Sequence, residues 1–536
     1  METAIDSARI TVIIADATRC FEGAGLVRRG VLANGGWLAA AAAAGVVSCA
    51  LPGAALAGRW DFTPSVTVSE TYTDNVGLSG GSARTPSSAA PGGGESKSDF
   101  ITAVTPAISV RGSGTRLVLN ADYSLSRRMY LHQTDRNEFR HALTGTGSAE
   151  LWERVFFFDA DATISDQLTE SRALRSESPA NVTENRTRTT SVQAGPRFLH
   201  HFGTFANTES KITYGKVFTN TGDQASAVNL NSVGTASDST TLTESFVMSS
   251  GRDFTRVLWA FSTEDSKTSY EGTRPSSRSR NARADLTFVL NRHISLLGGI
   301  GWERIEDDTL DEQPSGLIWN AGTRLTPGRR TSFQINYNER FDSNFVSFEG
   351  TYIITSRTQL SVSYSESIET PQQRLQRDLS FIGVDEFGQI IDTRTGLPFD
   401  PTSSPFGLQE GTSRVKNYRA NLTGSRGRNG FGLSIYQSER ETDATDETES
   451  TIGGNLSWSR TLTTRTSGSV GLNYYSIEYQ PEDRTDDNIS ANVGLTYHLS
   501  PDADLSFIVY YTRRDSTDQG FDSTERSATV SLRKVF

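Results

Sequence analysis

The residues of this chain best placed to do chemistry are arginines and carboxylates that recur on the polar phase of alternating segments. Arg111, Arg116, Arg256, Arg283, Arg324 and Arg465 share that phase with Asp122, Asp285, Glu303 and Glu339. On a strand every second residue faces the same way, so these side chains would line one surface. Around a lumen they would form a charged wall able to hydrogen-bond sugars or anions. Equally, they could be ion-pair ladders that only hold a barrel in shape. The stretch 367–414 is a second candidate, a long connection that carries Phe381, Phe387, Ile391 and Phe399. An apolar segment of that length folds against something. It is expected to enter a lumen or cross its mouth as a constriction.

No enzymatic constellation stands out, and no cofactor is implied. Gly77-Leu78-Ser79-Gly80-Gly81 has the spelling of a nucleophile elbow but lies in a Ser/Gly-rich link, not between a strand and a helix. The histidines are scattered, and the adjacent pair His200-His201 has no carboxylate close in sequence to complete a metal site. Glu439, Glu441, Asp443, Asp446, Glu447 and Glu449 cluster, but without the glycine and order of a calcium loop. They read as a solvated acidic loop, able to bridge lipopolysaccharide through divalent ions.

The elements that must position these residues follow from composition and rhythm. Hydrophobic residues make up only 35% of 536, too few to fill a core of that length. A wall that is wet inside and greasy outside needs one apolar residue in two. Leu117, Leu119, Ala121, Tyr123 and Leu125 alternate with polar neighbours, as do Ala282 to Leu290 and Ile489 to Leu499. Links alternate long and short without a break. Short ones fall at 112–115, 151–154, 200–203, 250–253, 291–293, 326–330, 355–357, 425–429, 460–464 and 500–504. Those between them are mostly long. Hairpins with short periplasmic turns and long outer loops mark outer-membrane barrels. The expected fold is all-β: a transmembrane, antiparallel, up-and-down barrel of about 22 strands with no N-terminal plug domain. No sustained helical period is visible after residue 57.

Residues 1–57 read as a signal peptide. Arg28 and Arg29 precede the apolar run Trp37 to Ala57, which closes on Ala55-Leu56-Ala57, so cleavage is expected before Gly58. Residues 1–26 are long and mixed in charge for such a leader and suggest a misplaced start. Both cysteines, Cys20 and Cys49, lie inside it, which leaves residues 58–536, the barrel, without disulfides or thiol chemistry. The net charge of −11 speaks against nucleic-acid binding. Val530, Leu532 and Phe536 end the chain on an apolar phase with a terminal aromatic. This resembles the signal read by the barrel-assembly machinery. Outer-membrane lipid and lipopolysaccharide are the other expected partners, with both termini periplasmic.

The opening strand, Trp60-Asp61-Phe62-Thr63-Pro64-Ser65-Val66-Thr67-Val68-Ser69-Glu70-Thr71-Tyr72-Thr73-Asp74-Asn75, resembles a known family. So does the next hairpin, with Asp99-Phe100, Val104-Thr105-Pro106-Ala107-Ile108, Arg116 and Asp122-Tyr123. Both are similar to the PEP-CTERM-system-associated outer-membrane β-barrels. That resemblance covers about the first quarter of the chain and supplies no functional residues. It implies a passive conduit near exopolysaccharide secretion. The alternative is a structural or anchoring barrel whose loops bind polysaccharide or a sorted surface protein.

Overall fold

The structure is a computed structural model. It describes residues 58–78, 97–173, 176, 178, 181, 185–220, 237–272, 275–307, 313–341, 343–384, 390–393, 406–408, 411–442 and 447–536. The expected leader with Ala55 and Ala57, the elbow-like Ser79 to Gly81, Asp443, Asp446, Phe387 and Phe399 lie outside these residues.

Strands β1 (Gly58–Thr73), β2 (Asp99–Gly114), β3 (Leu117–Tyr130), β4 (Glu138–Trp152), β5 (Phe156–Leu168) and β6 (Arg186–Phe202) open the wall. It continues through β7 (Ala206–Asn220), β8 (Ser239–Ser250), β9 (Val257–Tyr270), β10 (Ser277–Asn291), β11 (Ile294–Glu306) and β12 (Ser315–Gly328). Then come β13 (Thr331–Arg340), β14 (Ser343–Thr355) and β15 (Thr358–Glu369). A helix, α1 (Pro371–Leu379), and a small ribbon of β16 (Ile382–Val384) and β17 (Ile390–Asp392) interrupt the series. The wall resumes with β18 (Ser413–Arg426), β19 (Asn429–Thr442), β20 (Glu447–Thr461) and β21 (Thr466–Gln480). It ends with β22 (Arg484–Ser500), β23 (Ala503–Ser516) and β24 (Ser523–Val535).

Leaving out the small ribbon, 22 strands form one sheet in which each pairs antiparallel with its neighbours. β24 returns to β1 over Ser65↔Val535 to Thr73↔Ser527, so the sheet closes. Closure leaves no edge with unpaired backbone groups, the condition for a sheet to sit in hydrocarbon. On most strands one phase carries exposed apolar residues, such as Leu286, Phe288 and Leu290 on β10 or Ile489, Val493 and Leu495 on β22. In lipid this belt costs nothing to expose; in water it would be an aggregating surface. Rings collect near the short turns, where Phe205, Phe254 and Trp259 pack with centroids 5.4–5.9 Å apart. Such aromatics suit the interface between headgroups and hydrocarbon.

The hairpin count and the places of the short turns match the sequence reading. The lengths of several long links do not. Between β21 and β22, for example, only residues 481–483 intervene. Strands of up to 17 residues exceed the 9–11 or so needed to cross a bilayer. Their ladders therefore continue past the lipid at the long-link end. Gly58 and Phe536 both sit at the short-turn end: Gly58 pairs with Gly114, and the Phe536 N–H donates to Pro64 O (2.9 Å).

α1 is a short helix that leaves no sustained period in the sequence. Thr370 Oγ1 accepts from Gln373 N, Gln373 Oε1 accepts from Thr370 N, and Pro371 follows the cap. This is a capping box with proline at the first helical position.

Candidate functional site: a lumen crossed by two inward segments

The charged wall foreseen from the sequence exists in part. Arg111 Nη2 donates to both carboxylate oxygens of Asp122 at 2.9 and 2.8 Å across β2 and β3. Arg283 Nε holds Asp285 (2.8 Å), and its Nη2 donates to Asn320 Oδ1 (2.6 Å) on β12. Gly299 on the intervening β11 makes room for that bridge: a Cβ there would stand 2.3 Å from Asn320 Oδ1 and 2.4 Å from Asp285 Oδ1. Glu303 is buried and held by Arg340 through two bonds of 2.5 and 2.8 Å. Arg324 donates to Gln334 Oε1 (2.7 Å). These contacts favour the ladder reading for this part of the wall, since each charge is already paired or bonded.

Four of the assigned residues lie elsewhere. Arg116, Arg256 and Arg465 occupy short turns, just before the strands on which the alternation had placed them. Glu339 shares the phase of the exposed Ile335 and Tyr337, so it faces outward. There its Oε2 accepts the Trp319 indole N–H (2.7 Å) near the long-link end of β13. Val530 and Leu532 face outward beside the seam with β1, and Phe536 is exposed.

The 367–414 segment does turn inward. It leaves the wall at β15, yet α1 lies against strands β5 to β7, well around the ring. Gln376 Nε2 donates to Val192 O on β6 (3.3 Å), and Gln372 Nε2 to Ser237 O (3.0 Å). Leu379, Ile382 and Ile390 form a small buried cluster that joins α1 to the ribbon. Leu408 N donates to Leu168 O (2.9 Å) at the end of β5. Of the residues expected to narrow the pore, Phe381 and Ile391 belong to this inward fold. The seat is largely polar, contrary to the apolar contact expected.

A second inward segment was missed. The link after β5 is expected as one more outer loop, but its described residues 169–173, 176, 178 and 181 reach the far wall, β20 to β24 and the end of β1. Ser171 Oγ donates to Glu449 Oε1 (2.5 Å), and Tyr479 OH to Ser171 O (2.8 Å). Arg172 Nη1 donates to Glu447 (3.1 Å) and Glu482 (2.9 Å), while Arg484 and Arg514 donate to its carbonyl at 2.8 and 3.2 Å. Ser176 Oγ reaches Glu525 Oε2 (2.6 Å), and Asn181 Nδ2 reaches Asn75 O (2.8 Å). The wall behind is itself ion-paired. Arg440 donates to Glu449 at 2.8 Å and Arg514 to Asp486 at 2.5 Å, all four side chains buried.

Burial weighs against the charge of Arg172, but Glu447, Glu482 and Glu449 outweigh it and hold the guanidinium above the ordinary arginine range. Burial pushes the Glu170 carboxyl up, with Arg172 pulling it back and Glu449 adding to the rise.

Four of the six residues of the acidic cluster therefore belong to strands β19 and β20. Strand alternation splits it: Glu447 and Glu449 face inward to the arginines, while Glu439 and Glu441 accept from Lys416 Nζ (2.8 and 3.0 Å) on the outer face. A signal for the missed segment was present in Arg172, set among serines and opposite strand ends dense in acid. The distant strands it reaches cannot be deduced from local sequence.

Residues 447–536, the span of β20 to β24, match the family described as Putative beta-barrel porin 2. With a closed sheet and an outward apolar belt, that match defines the class. The chain is an outer-membrane, porin-like β-barrel. Its structure is similar to the ferric-catecholate import receptor Fiu of E. coli K12 in its open form. That likeness has a TM-score of 0.49 at 12% identity, over 90% of this chain and 82% of that one. OmpT of Vibrio cholerae with loop L8 deleted gives 0.32 at 8% identity, over 90% and 100%. Pseudomonas aeruginosa OpdK with vanillate gives 0.30 at 8%, over 89% and 99%. These likenesses concern architecture alone. No curated protein matches the chain.

Proposed function

We propose that this porin-like barrel is a passive conduit for polar solutes, and that it serves the export of surface polysaccharide. The observation that carries the conduit reading is the pair of inward runs, 169–173 and 370–384, that meet a polar wall near one mouth. A barrel kept only for anchoring has no need to furnish its lumen with paired charges and a capped helix. The polysaccharide part is supported by the resemblance of the first hairpins to PEP-CTERM-system-associated barrels, and by side chains that hydrogen-bond without demanding charge. No catalytic role is proposed. The long-link end is taken as the cell exterior, with both termini periplasmic.

The second reading, a closed barrel that anchors polysaccharide or a sorted protein through its loops, draws on the same packing. Gln372, Leu379, Leu408 and Asp486 are each at most 1% exposed, so the mouth is tightly filled. Planar-bilayer recording separates the two. The purified barrel is expected to conduct, and replacing residues 375–410 by a short Gly/Ser link should raise its single-channel conductance and the sensitivity of cells to large antibiotics. Zero conductance in both proteins, with polysaccharide binding lost from the deletion, would favour the anchor.

A further inference from the structure

The wall beneath α1 has a different chemistry from the charged wall opposite. Ser191, Val217 and Ser239 stand in one row across β6, β7 and β8, and the row ends on Tyr270 of β9. Gln193, Gly215, Thr241, Thr268 and Ser277 make the next. These rows offer hydroxyls, one amide and one aromatic ring, with no formal charge. All of these side chains except Tyr270 are buried.

α1 covers this surface through polar contacts. Beyond the amides of Gln372 and Gln376, Tyr270 OH donates to Thr370 Oγ1 (3.2 Å). Gly215 leaves room for the Gln376 amide: a Cβ there would stand 2.2 Å from its Oε1 and displace it. Three of the five buried helix residues, Gln372, Arg374 and Gln376, are polar. The match is nonetheless poor. The hydroxyls of Thr189, Ser191 and Ser239 and the side-chain oxygen of Gln372 are buried without a hydrogen-bond partner among the described residues. Buried polar groups left unmatched oppose the contact that buries them.

We infer that this wall is a subsite for an uncharged, polyhydroxylated chain, a saccharide, and that α1 occupies it in the resting barrel with glutamine amides where sugar hydroxyls would lie. The inference rests on the conduit reading and gives its saccharide a place on the wall. Hydroxyl and amide side chains both donate and accept, as sugar hydroxyls do, whereas a guanidinium wall would select anions. The hydroxyls recur across strands about 4.8 Å apart, a spacing commensurate with successive sugar units in an extended chain. Tyr270 gives the row an aromatic edge on which the apolar face of a sugar ring can rest.

The test uses the full barrel in detergent and calorimetric titration with cellohexaose, with hexagalacturonate as the anionic counterpart. Gln372→Ala with Gln376→Ala loosens α1 and leaves the wall intact. It should tighten cellohexaose binding about tenfold, the factor set by removing one or two net hydrogen bonds from the competing helix. Adding Thr241→Val and Thr268→Val, which replaces a buried hydroxyl pair 3.0 Å apart by near-isosteric methyls, should cancel the gain. Hexagalacturonate should gain nothing. In the unaltered protein, saturating cellohexaose should speed amide hydrogen exchange over 371–379. Failure to tighten, tightening that survives the valine pair, equal gain for the anionic hexamer, or unchanged exchange each overturns the inference. Binding is read without current flow. A barrel that binds cellohexaose but conducts nothing would therefore sink the conduit reading and leave the subsite standing.

Discussion

Arg172 is the residue on which the inward link most depends, and its neighbours explain why. Its guanidinium faces three carboxylates, and its carbonyl accepts from Arg484 and Arg514. Removing one member of a buried ion pair costs up to about 3–5 kcal/mol; here Glu449 keeps Arg440 and Glu482 is half exposed, so the loss falls mainly on Glu447 and is smaller. Arg172→Ala is therefore expected to free residues 169–173, and single-channel recording should show larger, noisier openings. Unaltered current would place the narrowest point elsewhere. Glu170 adds a pH dependence. Burial keeps its carboxyl protonated at pH values where an exposed glutamate is ionised. Raising the pH through that range adds a negative charge near the mouth, so reversal potentials in a salt gradient should shift toward cation selectivity. Glu170→Gln should remove the shift. Legibility at this scale depended on register. Arg283 with Asp285 could be read two apart on one strand, whereas Arg111 meets Asp122 on the diagonal only because the hairpin turns at 115–116, later than the sequence suggested. The partnership of Glu303 with Arg340 spans two strands and was invisible. Arg116, Arg256 and Arg465 were misplaced because alternation does not stop at the residue where a turn begins.

At the scale of elements, period-two patterning located the wall strands and carried most of the fold. Its consequence for stability is directional. Val493 faces lipid, and Val493→Arg should cost about 2–4 kcal/mol near mid-bilayer. Ser490, on the inward phase of the same strand, should accept arginine with little change in urea-induced unfolding from lipid vesicles. Equal losses at both positions would contradict the assigned faces. The last strand is expected to guide assembly through Val530, Leu532 and Phe536. Deleting Phe536 should slow the appearance of heat-modifiable folded barrel, and unchanged kinetics would make the residue incidental. α1 was legible in principle. Thr370-Pro371-Gln372-Gln373 spells a capping box with proline at the first turn, but its nine residues are too few and too polar for a helical period to emerge. The inward course of 169–181 was not legible, because its bonds reach residues 275 or more positions away at Glu447, Glu449 and Glu525.

For the whole molecule, the hairpin series gives a ring with two unlike ends. Asp135 is exposed in the link 131–137 at one end and Arg329 in a tight turn at the other. Cysteine at Asp135 should react with a membrane-impermeant maleimide on intact cells, and cysteine at Arg329 only after the outer membrane is breached. The reverse pattern would invert the proposed orientation. The ring also bears on how such a protein can change over time. Because Gly58 and Phe536 sit at the same end beside a seam that is simply one more antiparallel pair, the hairpin is the smallest unit that can be gained or lost. Duplicating or deleting one keeps the ends together and widens or narrows the circumference by one step. Adding a single strand would carry the carboxyl end through the membrane, where it could no longer close against β1 in the same direction. Size in this architecture is therefore counted in twos, and any member of the series could serve as its beginning.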